Sequence, residues 1–353
     1  MANFLRFNFT TNTWENSISG PAGPFIQVYP AADILAAEAN LFIDGDHSSW
    51  QENWQFVAIA NGTYFNDLWK YEKSGAMVHT VSRDMDVPTV LQSGHKSNYS
   101  ILVDCTTVDA SIAAGDYCFV EYPIEGFDFL QIAQRSFTVG NLFKATKAGV
   151  YCVAFINSAQ DRTYVAEVTL AADTWEYKII TVPASPSAGT WDYTNGIGLR
   201  VRICLAAGTT FHTAANVWGT SNFATANQVN ACDNVANNFR IAQSMLVPGG
   251  NAIPYVGRSI QRELAMLNRY YTLGKMDFRI QSTGGYYGPS YKYPTMRVTP
   301  TASYTAAAAD NLNVTGTPSL TPLNADVNLR TTIQSAGAGD LYYAREFALD
   351  ARL

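Results

Sequence analysis

Residues 150–156 read VYCVAFI, and three similar runs follow: YVAEVTL at 164–170, YKIITV at 177–182 and GLRVRICL at 198–205. Aromatic and β-branched residues dominate these runs, and Gly, Pro, Asn, Asp and Ser cluster between them. Such runs are typical of β-strands, and such clusters are typical of turns. Because turns rather than helices connect the runs, the sequence predicts antiparallel sheets stacked as a sandwich or jelly roll.

Outside this stretch, strands remain the prevailing pattern, as in YSILV at 99–103, and only two segments look helical. The first, residues 30–42, is Ala-rich and acidic. The second, residues 259–272, begins at Ser259 as an N-cap and stops before Gly274. Its apolar stripe repeats at helical spacing and consists of Ile260, Leu264, Leu267 and Tyr271. We therefore expect a mainly all-β protein, with one connecting helix and a small C-terminal β-domain.

These features divide the chain into four parts. Residues 1–40 are predicted to form an extended N-terminal arm, 41–256 a jelly-roll β-sandwich, 257–275 the connecting helix and 276–353 a C-terminal β-domain. Strands are expected in the last part at 296–298 and 341–348. The arm has apolar side chains without a domain of their own to cover them, so it is predicted to attach the chain to a partner; the alternative is that it folds back over its own sandwich. These side chains are Phe4, Leu5, Phe7, Phe9 and Trp14.

Composition excludes several classes of protein. Apolar residues make up 47% of the 353 residues and charged residues only 15%, so a sizeable core is expected beneath a polar, weakly ionic surface. The net charge of −6 and the absence of Lys/Arg runs argue against nucleic-acid binding. No stretch approaches the roughly 18 apolar residues of a membrane span, and no signal peptide is visible. We therefore expect synthesis and assembly in a cytoplasm, with no membrane insertion.

Cysteine and histidine spacing gives no sign of a metal site. The five cysteines are odd in number and lack CxxC spacing, which favours buried free thiols. Disulfides, including bonds between subunits, would need an oxidising exterior and stay an open alternative. The four histidines lie far apart in the sequence and are predicted to be surface or hydrogen-bonded residues. They are His47, His79, His95 and His212.

No known catalytic motif occurs in the sequence, so no catalytic residue, cofactor or metal is predicted. Glu121, Glu125 and Asp128 cluster around a Pro and a Gly, and paired carboxylates can hydrolyse glycosidic bonds. Turn carboxylates are the commoner explanation. Asp44-Gly45-Asp46 offers oxygen atoms for Ca²⁺ but too few for a full shell, so a turn is predicted there as well. The sequence indicates a protein that is not an enzyme.

Aromatic residues in loops are the candidates for binding a sugar or a receptor. Trp191, Trp218, Tyr286 and Tyr287 are flanked by Gly, Thr, Ser or Asp. Sugar rings stack on exposed aromatic faces, but ordinary partial burial is the commonest explanation for such residues and a subunit interface the next. The remaining tryptophans near predicted strand ends are expected in the core. They are Trp50, Trp54, Trp69 and Trp175.

A collinear set of motifs resembles a family of phage virion structural proteins. The resemblance covers roughly residues 50–350 and is most specific where a last strand and a Gly turn precede a helix that ends in Arg-Tyr-Tyr. Its motifs are WQE (50–52), YFNDLW (64–69), YCVAF (151–155), RTYV (162–165), ADTWE (172–176), TNGIGL (194–199), FRIAQSMLVPG (239–249), IPYV (253–256), EL (263–264), NRYY (268–271) and YPTMRVTPT (293–301).

The resemblance implies a jelly roll related to carbohydrate-binding modules, located in the virion as a fibre, appendage or adhesin domain and commonly homotrimeric. Two functions follow as expectations. One is a tail-fibre or appendage subunit whose outer β-domains contact host-surface glycans. The other is a purely structural collar, head-fibre or capsid-decoration subunit that binds no receptor. In both cases the apolar helix stripe is expected to pack at a symmetry axis, with other virion proteins bound through the arm.

Overall fold

The runs at 150–156, 164–170, 177–182 and 198–205 all form strands in the computed structural model of the protein. The structure describes residues 4–8, 13–17, 37–250, 254–305, 310–322 and 328–353, with backbone alone for the first two ranges and Asp310. Every strand pair in its sheets is antiparallel. Two of these sheets face each other as a jelly-roll sandwich, so the predicted fold class is confirmed.

The sandwich is built from thirteen strands in two sheets. Their bounds are β3 Gln55–Phe56, β4 Thr63–Phe65, β5 Trp69–Ser74, β6 Val78–Asp84, β7 Ser100–Thr107, β8 Tyr117–Glu125, β9 Phe137–Ala145, β10 Gly149–Asn157, β11 Thr163–Leu170, β12 Glu176–Val182, β13 Ile197–Ala207, β14 Trp218–Gly219 and β15 Asn238–Pro248. The seven-stranded sheet has the order β14-β11-β10-β13-β8-β5-β4, and the facing six-stranded sheet has the order β12-β9-β15-β7-β6-β3.

Alternate residues of each strand fill the space between the two sheets. On β10, Tyr151, Val153 and Phe155 point inward and are fully buried. The ring of Phe155 meets that of Phe137 on the facing sheet at 5.5 Å, edge to face. Each fully buried side chain of this size contributes about 2–3 kcal/mol of transfer free energy, so this layer is the main source of stability.

The outer face of β10 is also buried, which explains why its sequence is apolar without interruption. Cys152, Ala154 and Ile156 point away from the sandwich core and pack in a second apolar cluster. Phe211, from the loop that follows β13, and Phe223, from the loop that follows β14, cover this cluster. Phe211 closes a short 3₁₀ turn, Thr209–Phe211. These loops therefore protect one part of the outer sheet face and leave the neighbouring part open.

Two short helices, α1 Val90–Ser93 and α2 Gly126–Phe129, lie within the sandwich region. The longer α3, Ile260–Leu267, follows it, and residues 37–39 are also helical. None of these helices combines the length and apolar character needed to cross a membrane, within the part of the chain that the structure describes.

The predicted helix at 259–272 is correct in its start and wrong in its end. Ser259 caps α3, and its side chain accepts a hydrogen bond from the Arg262 N–H. The helix ends at Leu267, and Tyr271 begins a strand instead of continuing the stripe. The physical reason is tertiary, because the Ala351 N–H binds the Tyr270 carbonyl at 2.7 Å and draws this segment into the C-terminal sheet. Gly274 lies inside that strand.

The C-terminal sheet is organised around one long strand. Its strands are β16 Tyr271–Tyr287, β17 Ser290–Lys292, β18 Thr301–Tyr304, β19 Asp310–Leu312, β20 Val314–Pro322 and β21 Asn328–Asp350. All the others pair with β21, and one face carries a separate apolar core that includes Leu341, Tyr343 and Phe347. The predicted strand at 296–298 is wrong. This segment is a bend, because the Arg297 N–H binds the Arg269 carbonyl at 2.8 Å rather than a neighbouring strand.

The N-terminal strands β1 Phe4–Asn8 and β2 Thr13–Ser17 form an antiparallel hairpin. Phe9 lies outside the described residues, as do the side chains of Phe4, Leu5, Phe7 and Trp14. Attachment through this segment therefore stays a prediction.

Candidate functional site

An open groove of about 460 Å³ crosses the outer face of the seven-stranded sheet beside the loop that follows β13. Side chains on a strand alternate between its two faces, so every second residue of β5, β8 and β13 reaches this surface. The groove is lined by Lys70, Glu72, Tyr117, Phe119, Glu121, Ile156, Gln160, Thr163, Arg200, Arg202, Phe211, Asn222 and Phe223. Charged and aromatic side chains thus share one concave surface.

The floor of the groove is an ion cluster around Glu121. This carboxylate is 1% exposed and accepts a hydrogen bond from Arg200 Nη1 at 2.6 Å and from Arg202 Nε at 2.5 Å. Burial by itself would raise the pKa of Glu121, but the guanidinium groups of Arg202 and Arg200 lower it below its usual value. Glu121 is therefore ionised at neutral pH, and it fixes both arginines in place.

Aromatic rings form the wall beside this ion cluster. The Arg202 guanidinium lies 4.4 Å from the centre of the Phe119 ring, and Tyr117 stacks on Phe119 at 5.2 Å. Phe211 meets Tyr117 edge to face at 5.2 Å, and burial raises the pKa of the Tyr117 hydroxyl. Because each ring packs against the next, the wall is preorganised before any ligand arrives.

One donor in the groove has no acceptor. Arg200 Nε is buried and makes no hydrogen bond, although Nη1 of the same guanidinium binds Glu121. Such orphaned donors are uncommon in native proteins, because leaving one unpaired costs about 1–3 kcal/mol. Nε itself has almost no accessible surface, so a ligand in the groove would meet the exposed part of the Arg200 side chain, which is 17% exposed.

Two of the four predicted sugar-binding aromatics are brought together at a separate place. Trp191 and Trp218 meet edge to face at 5.9 Å, and Phe129 stacks on Trp191 at 5.1 Å. Their indole N–H groups donate to the Ala188 and Pro183 carbonyls, both at 3.1 Å. Trp191 and Tyr193 line a shallow depression of about 560 Å³. Both tryptophans are partly buried against the sandwich core.

The other two predicted aromatics lie at the end of β16 in the C-terminal sheet. Tyr286 is 70% exposed, whereas the Tyr287 hydroxyl donates to Ser282 Oγ at 3.1 Å. The structure therefore does not join them to the tryptophan pair. Among the tryptophans predicted in the core, Trp69 and Trp175 are buried and Trp50 packs against the core. Trp54 was wrongly placed, because it is 56% exposed.

The carboxylates near Pro123 are not turn residues as predicted. Glu121 and Glu125 both lie within β8, and only Asp128 lies outside it, in α2. Glu125 is buried and accepts hydrogen bonds from Arg269 Nε at 2.8 Å and Nη2 at 2.6 Å. Both strand carboxylates are therefore neutralised by arginines.

Residues 43–46 form a turn, as predicted for Asp44-Gly45-Asp46. Asp44 is buried and accepts hydrogen bonds from the N–H groups of Ser48 and Ser49 at 3.0 and 2.8 Å. Burial raises the pKa of Asp44 to about 7 and lowers the pKa of the adjacent His47 to about 4. Protein donors occupy both oxygens of Asp44, which indicates a structural role.

All five cysteines are buried and free, which confirms the prediction of buried thiols. The fold adds a contact that sequence spacing did not indicate. His79, Cys118 and Cys232 come together inside the sandwich, with ligand atoms within 4.8 Å of one another. The groove was also missed, although charges at alternate positions of an apolar run, as in GLRVRICL, were a usable signal for its floor.

No model of a protein family matches the sequence, and no curated protein matches it significantly. Among solved structures, the chain is similar to the enzymatically active domain of bacteriophage CBA120 tailspike protein 4, with 13% sequence identity and a TM-score of 0.29. That match covers 55% of this chain and 21% of the tailspike chain. It is also similar to the C-terminal family 22 carbohydrate-binding module of Clostridium thermocellum Xyn10B, with 11% identity, 62% and 99% covered, and a TM-score of 0.33.

A third similar structure is the family 11 carbohydrate-binding module of the Clostridium thermocellum cellulase Lic26A-Cel5E. The two sequences are 12% identical, and the TM-score is 0.29. The match covers 58% of this chain and 99% of the module. The chain thus spans about a fifth of the tailspike chain, 21%, and nearly all of the two modules, 99% each. At these identities and scores the likenesses assign neither a family nor a ligand.

Proposed function

We propose that this chain is a structural protein of a bacteriophage virion, a tail-fibre or appendage subunit that binds a host-surface glycan in the groove of its seven-stranded sheet. The groove is the observation that carries the proposal, because it joins an aromatic wall to fixed charged donors and acceptors. The sequence motifs that resemble those of phage virion proteins support a location in the virion.

The groove suits sugars for two reasons. The rings of Tyr117 and Phe211 offer apolar faces to sugar C–H groups. The guanidinium groups of Arg200 and Arg202 are planar donors at fixed positions, and their side chains are 17% and 10% exposed. Ligand sites of this kind combine apolar walls with a few convergent polar groups. A sugar hydroxyl or carboxylate oxygen is the acceptor that we expect at Arg200.

We further propose that the groove binds without hydrolysing. A glycosidase needs one carboxylic acid that is protonated near neutral pH, which requires a raised pKa. The arginines lower the pKa of Glu121, so it does not fit the role of a general acid. Glu72, the other carboxylate that lines the groove, is paired with Lys70 Nζ at 2.6 Å.

Removing the aromatic wall is expected to abolish most of the glycan affinity. Tyr117→Ala and Phe211→Ala should each weaken binding about tenfold, which corresponds to about 1.4 kcal/mol of lost stacking. The measurement is a glycan array with the full chain, followed by titration calorimetry on the best polysaccharide. Trp191→Ala is the control, because it truncates an even larger aromatic ring at the shallow depression and should leave the affinity unchanged.

Two outcomes would contradict this assignment. If Trp191→Ala lost binding while the groove variants kept it, the depression would be the glycan site. If the folded wild-type chain bound no glycan, including surface polysaccharides of host cells, the adhesive function would be wrong. The place in the particle is tested separately by labelling purified virions with antibodies against the chain, and its absence from particles would refute the virion role.

The second candidate is a purely structural collar, head-fibre or capsid-decoration subunit. Exposed apolar side chains around α1 favour it, since surfaces of this kind are usually covered in an assembly. Leu91 is 100% exposed, Met85 79% and Val90 52%. Another apolar pair lies on α3, where Ile260 is 54% and Leu264 38% exposed. Leu267 does not belong to this surface, because it is buried in the sandwich core.

We propose a homotrimer in which α3 faces its symmetry mates through Ile260 and Leu264. The wild-type chain is expected to elute as a trimer in size-exclusion chromatography with light scattering. Ile260→Asp with Leu264→Asp should shift it to monomer, because two carboxylates cannot be buried unpaired at the axis. Val235→Asp, at a loop position that is 59% exposed, is the control and should stay trimeric. A monomeric wild type at micromolar concentration would rule out the trimer.

A further inference from the structure

Four side chains that can bind a metal converge inside the sandwich. His79 lies on β6, Cys105 on β7, Cys118 on β8 and Cys232 on the loop before β15. His79 and Cys105 are directly opposed across two neighbouring strands, while Cys118 comes from the facing sheet. All four are at most 2% exposed. The fold therefore assembles in its interior a group whose members lie far apart in the sequence.

We propose that His79, Cys118 and Cys232 bind one Zn²⁺ ion inside the sandwich, with Cys105 as the fourth ligand. Within the ranges that the structure describes, His79, Cys118 and Cys232 are the one group of three or more His, Cys, Asp or Glu side chains whose ligand atoms all lie within 4.8 Å of one another. Cys105 is not part of that group and would have to move closer to complete the site. Thiolate and imidazole ligands select zinc over calcium or magnesium, which prefer oxygen.

The distances fit a tetrahedral zinc site. Zn–N bonds of about 2.0 Å and Zn–S bonds of about 2.3 Å at tetrahedral angles place the two ligand atoms about 3.6 Å apart. His79 Nε2 lies 3.7 Å from Cys232 Sγ. Cys118 Sγ is within 4.8 Å of Cys232 Sγ and of a His79 ring nitrogen, and it lies 3.9 Å from Nδ1. Binding one ion through Nε2 therefore requires a rotation of the Cys118 side chain toward that nitrogen. Cys105 Sγ lies beside them, 3.8 Å from the Cys232 carbonyl oxygen.

The other nitrogen of His79 is held as metal-binding histidines are usually held. Its Nδ1 lies 2.7 Å from the hydroxyl of Tyr71, a residue with no exposed surface. A hydrogen bond at one ring nitrogen fixes the orientation of the imidazole and directs the other nitrogen to the metal. Tyr71 therefore takes the place of the outer partner. Nε2 faces the Cys232 thiol at 3.7 Å, whereas Cys118 Sγ lies 3.9 Å from Nδ1.

The thiols have only weak alternatives to a metal. Cys118 Sγ contacts the Tyr71 hydroxyl at 3.7 Å, and Cys105 Sγ donates to the Thr107 carbonyl at 3.4 Å. Sulfur is a poor hydrogen-bonding partner, so these contacts contribute little. A closed, buried set of one imidazole and three thiolates is a common composition of structural zinc sites. The ion would tie the two sheets together at this end of the sandwich.

Metal content of the full chain tests the proposal. The protein is purified under reducing conditions without chelator, and its zinc is measured by mass spectrometry of the elements. We expect about one zinc ion per chain, as for a single structural site. Cys118→Ser and Cys232→Ser should lower the zinc content at least about tenfold, because a hydroxyl is a far weaker zinc ligand than a thiolate. Cys152→Ser is the matched control, a buried free thiol of the same sandwich outside the group, and it should retain the metal.

A second readout separates ligand loss from misfolding. The full chain is refolded with Co²⁺ in place of zinc, and the near-ultraviolet bands from thiolate to cobalt are recorded. Cys105→Ser should weaken these bands by about a third, since one of three thiolates is lost. Removing the metal from the wild type should lower its Tm by about 5 °C or more and leave the Tm of Cys118→Ser unchanged.

Three results would overturn the zinc site. The first is a folded wild type that holds no zinc even after refolding with the ion. The second is equal zinc in the wild type and both serine variants. The third is a disulfide between Cys118 and Cys232 in the native chain, seen by mass spectrometry of peptides.

Discussion

Replacing Glu125 with alanine is expected to lower the free energy of unfolding by about 3 kcal/mol, because it leaves charged and polar groups without a partner at a buried junction. Glu125 is 2% exposed and accepts hydrogen bonds from Arg269 Nε, Arg269 Nη2 and the Tyr270 hydroxyl, at 2.8, 2.6 and 2.7 Å. Tyr270 is itself 3% exposed. Urea unfolding of the full chain measures the change.

The control is Asp277→Ala, which breaks an ion pair between exposed partners, with Arg279 Nε 3.6 Å from the carboxylate. Such surface pairs contribute little, so no measurable change is expected. Glu125→Ala should also separate the unfolding of the C-terminal sheet from that of the sandwich, giving two transitions where the wild type gives one. Equal stability of Glu125→Ala and the wild type would show that the pair adds nothing at this junction.

Glu125 has this influence because the junction between the two β-units is polar. Besides Arg269, the Arg352 side chain reaches Glu52 at 3.1 Å and lies 4.4 Å from the Tyr271 ring centre. Gln51 Nε2 donates to the Tyr271 carbonyl at 3.4 Å. Polar contacts depend on direction, so they hold one relative orientation more strictly than an apolar contact would.

The strands of the sandwich could be predicted because their signal is local. A run such as VYCVAFI is apolar at every position, and its residues are buried on both faces of β10. The start of α3 was local too, since Ser259 caps the helix through its own side chain. Where propensity and the short-range pattern decide the conformation, the sequence was sufficient.

The end of α3 could not be predicted, because a contact from the far end of the chain decides it. Tyr271 continues the apolar stripe at helical spacing, yet Ala351 binds the Tyr270 backbone and turns the segment into β16. A periodic pattern cannot distinguish a residue buried by a helix from one buried by a strand. The same limit explains Met296, which is buried in an irregular segment just before a bend rather than in a strand.

Both candidate sites depend on pairing that one sequence does not reveal. The groove needs Glu121 opposite Arg202 across β8 and β13, and it needs the loops of Phe211 and Phe223 folded over the adjacent strands. The proposed zinc site needs His79 opposite Cys105 and Cys118 on the facing sheet. In both sites the residues lie too far apart in the sequence to form a recognisable motif. Sequence spacing therefore did not indicate either site. The prediction of loop aromatics came closer to the structure, because Trp191 and Trp218 do contact each other.

The floor of the groove places three poorly solvated charges close together, and burying them is electrostatically unfavourable. Glu121 is buried beneath two guanidinium groups, whose side chains are only 17% and 10% exposed for Arg200 and Arg202. Desolvating three charges is unfavourable unless each finds a partner. Here the carboxylate satisfies both cations at once, and Gln160 accepts a further bond from Arg202 Nη2 at 2.7 Å. Removing the carboxylate leaves two cations close together in a poorly solvated place.

Glu121→Gln is therefore expected to lose about 3–5 kcal/mol of stability at pH 7, the usual cost of removing one partner from a buried ion pair. The loss should depend on pH. The arginines lower the pKa of Glu121 in the folded chain, so the ion cluster stabilises fully above the unfolded value of 4.5 and weakens as the pH falls through the lower folded value. The difference between wild type and variant should shrink below pH 4.5.

Urea midpoints at several pH values from neutral to acid measure this difference. The matched control removes all three charges together, as Glu121→Leu with Arg200→Leu and Arg202→Leu, and should recover part of the lost stability because no buried charge remains unpaired. The control should also fail to bind glycan, since the donors of the groove are gone. A Glu121→Gln deficit that stayed constant into acid would mean that packing, rather than the ion cluster, holds the floor of the groove.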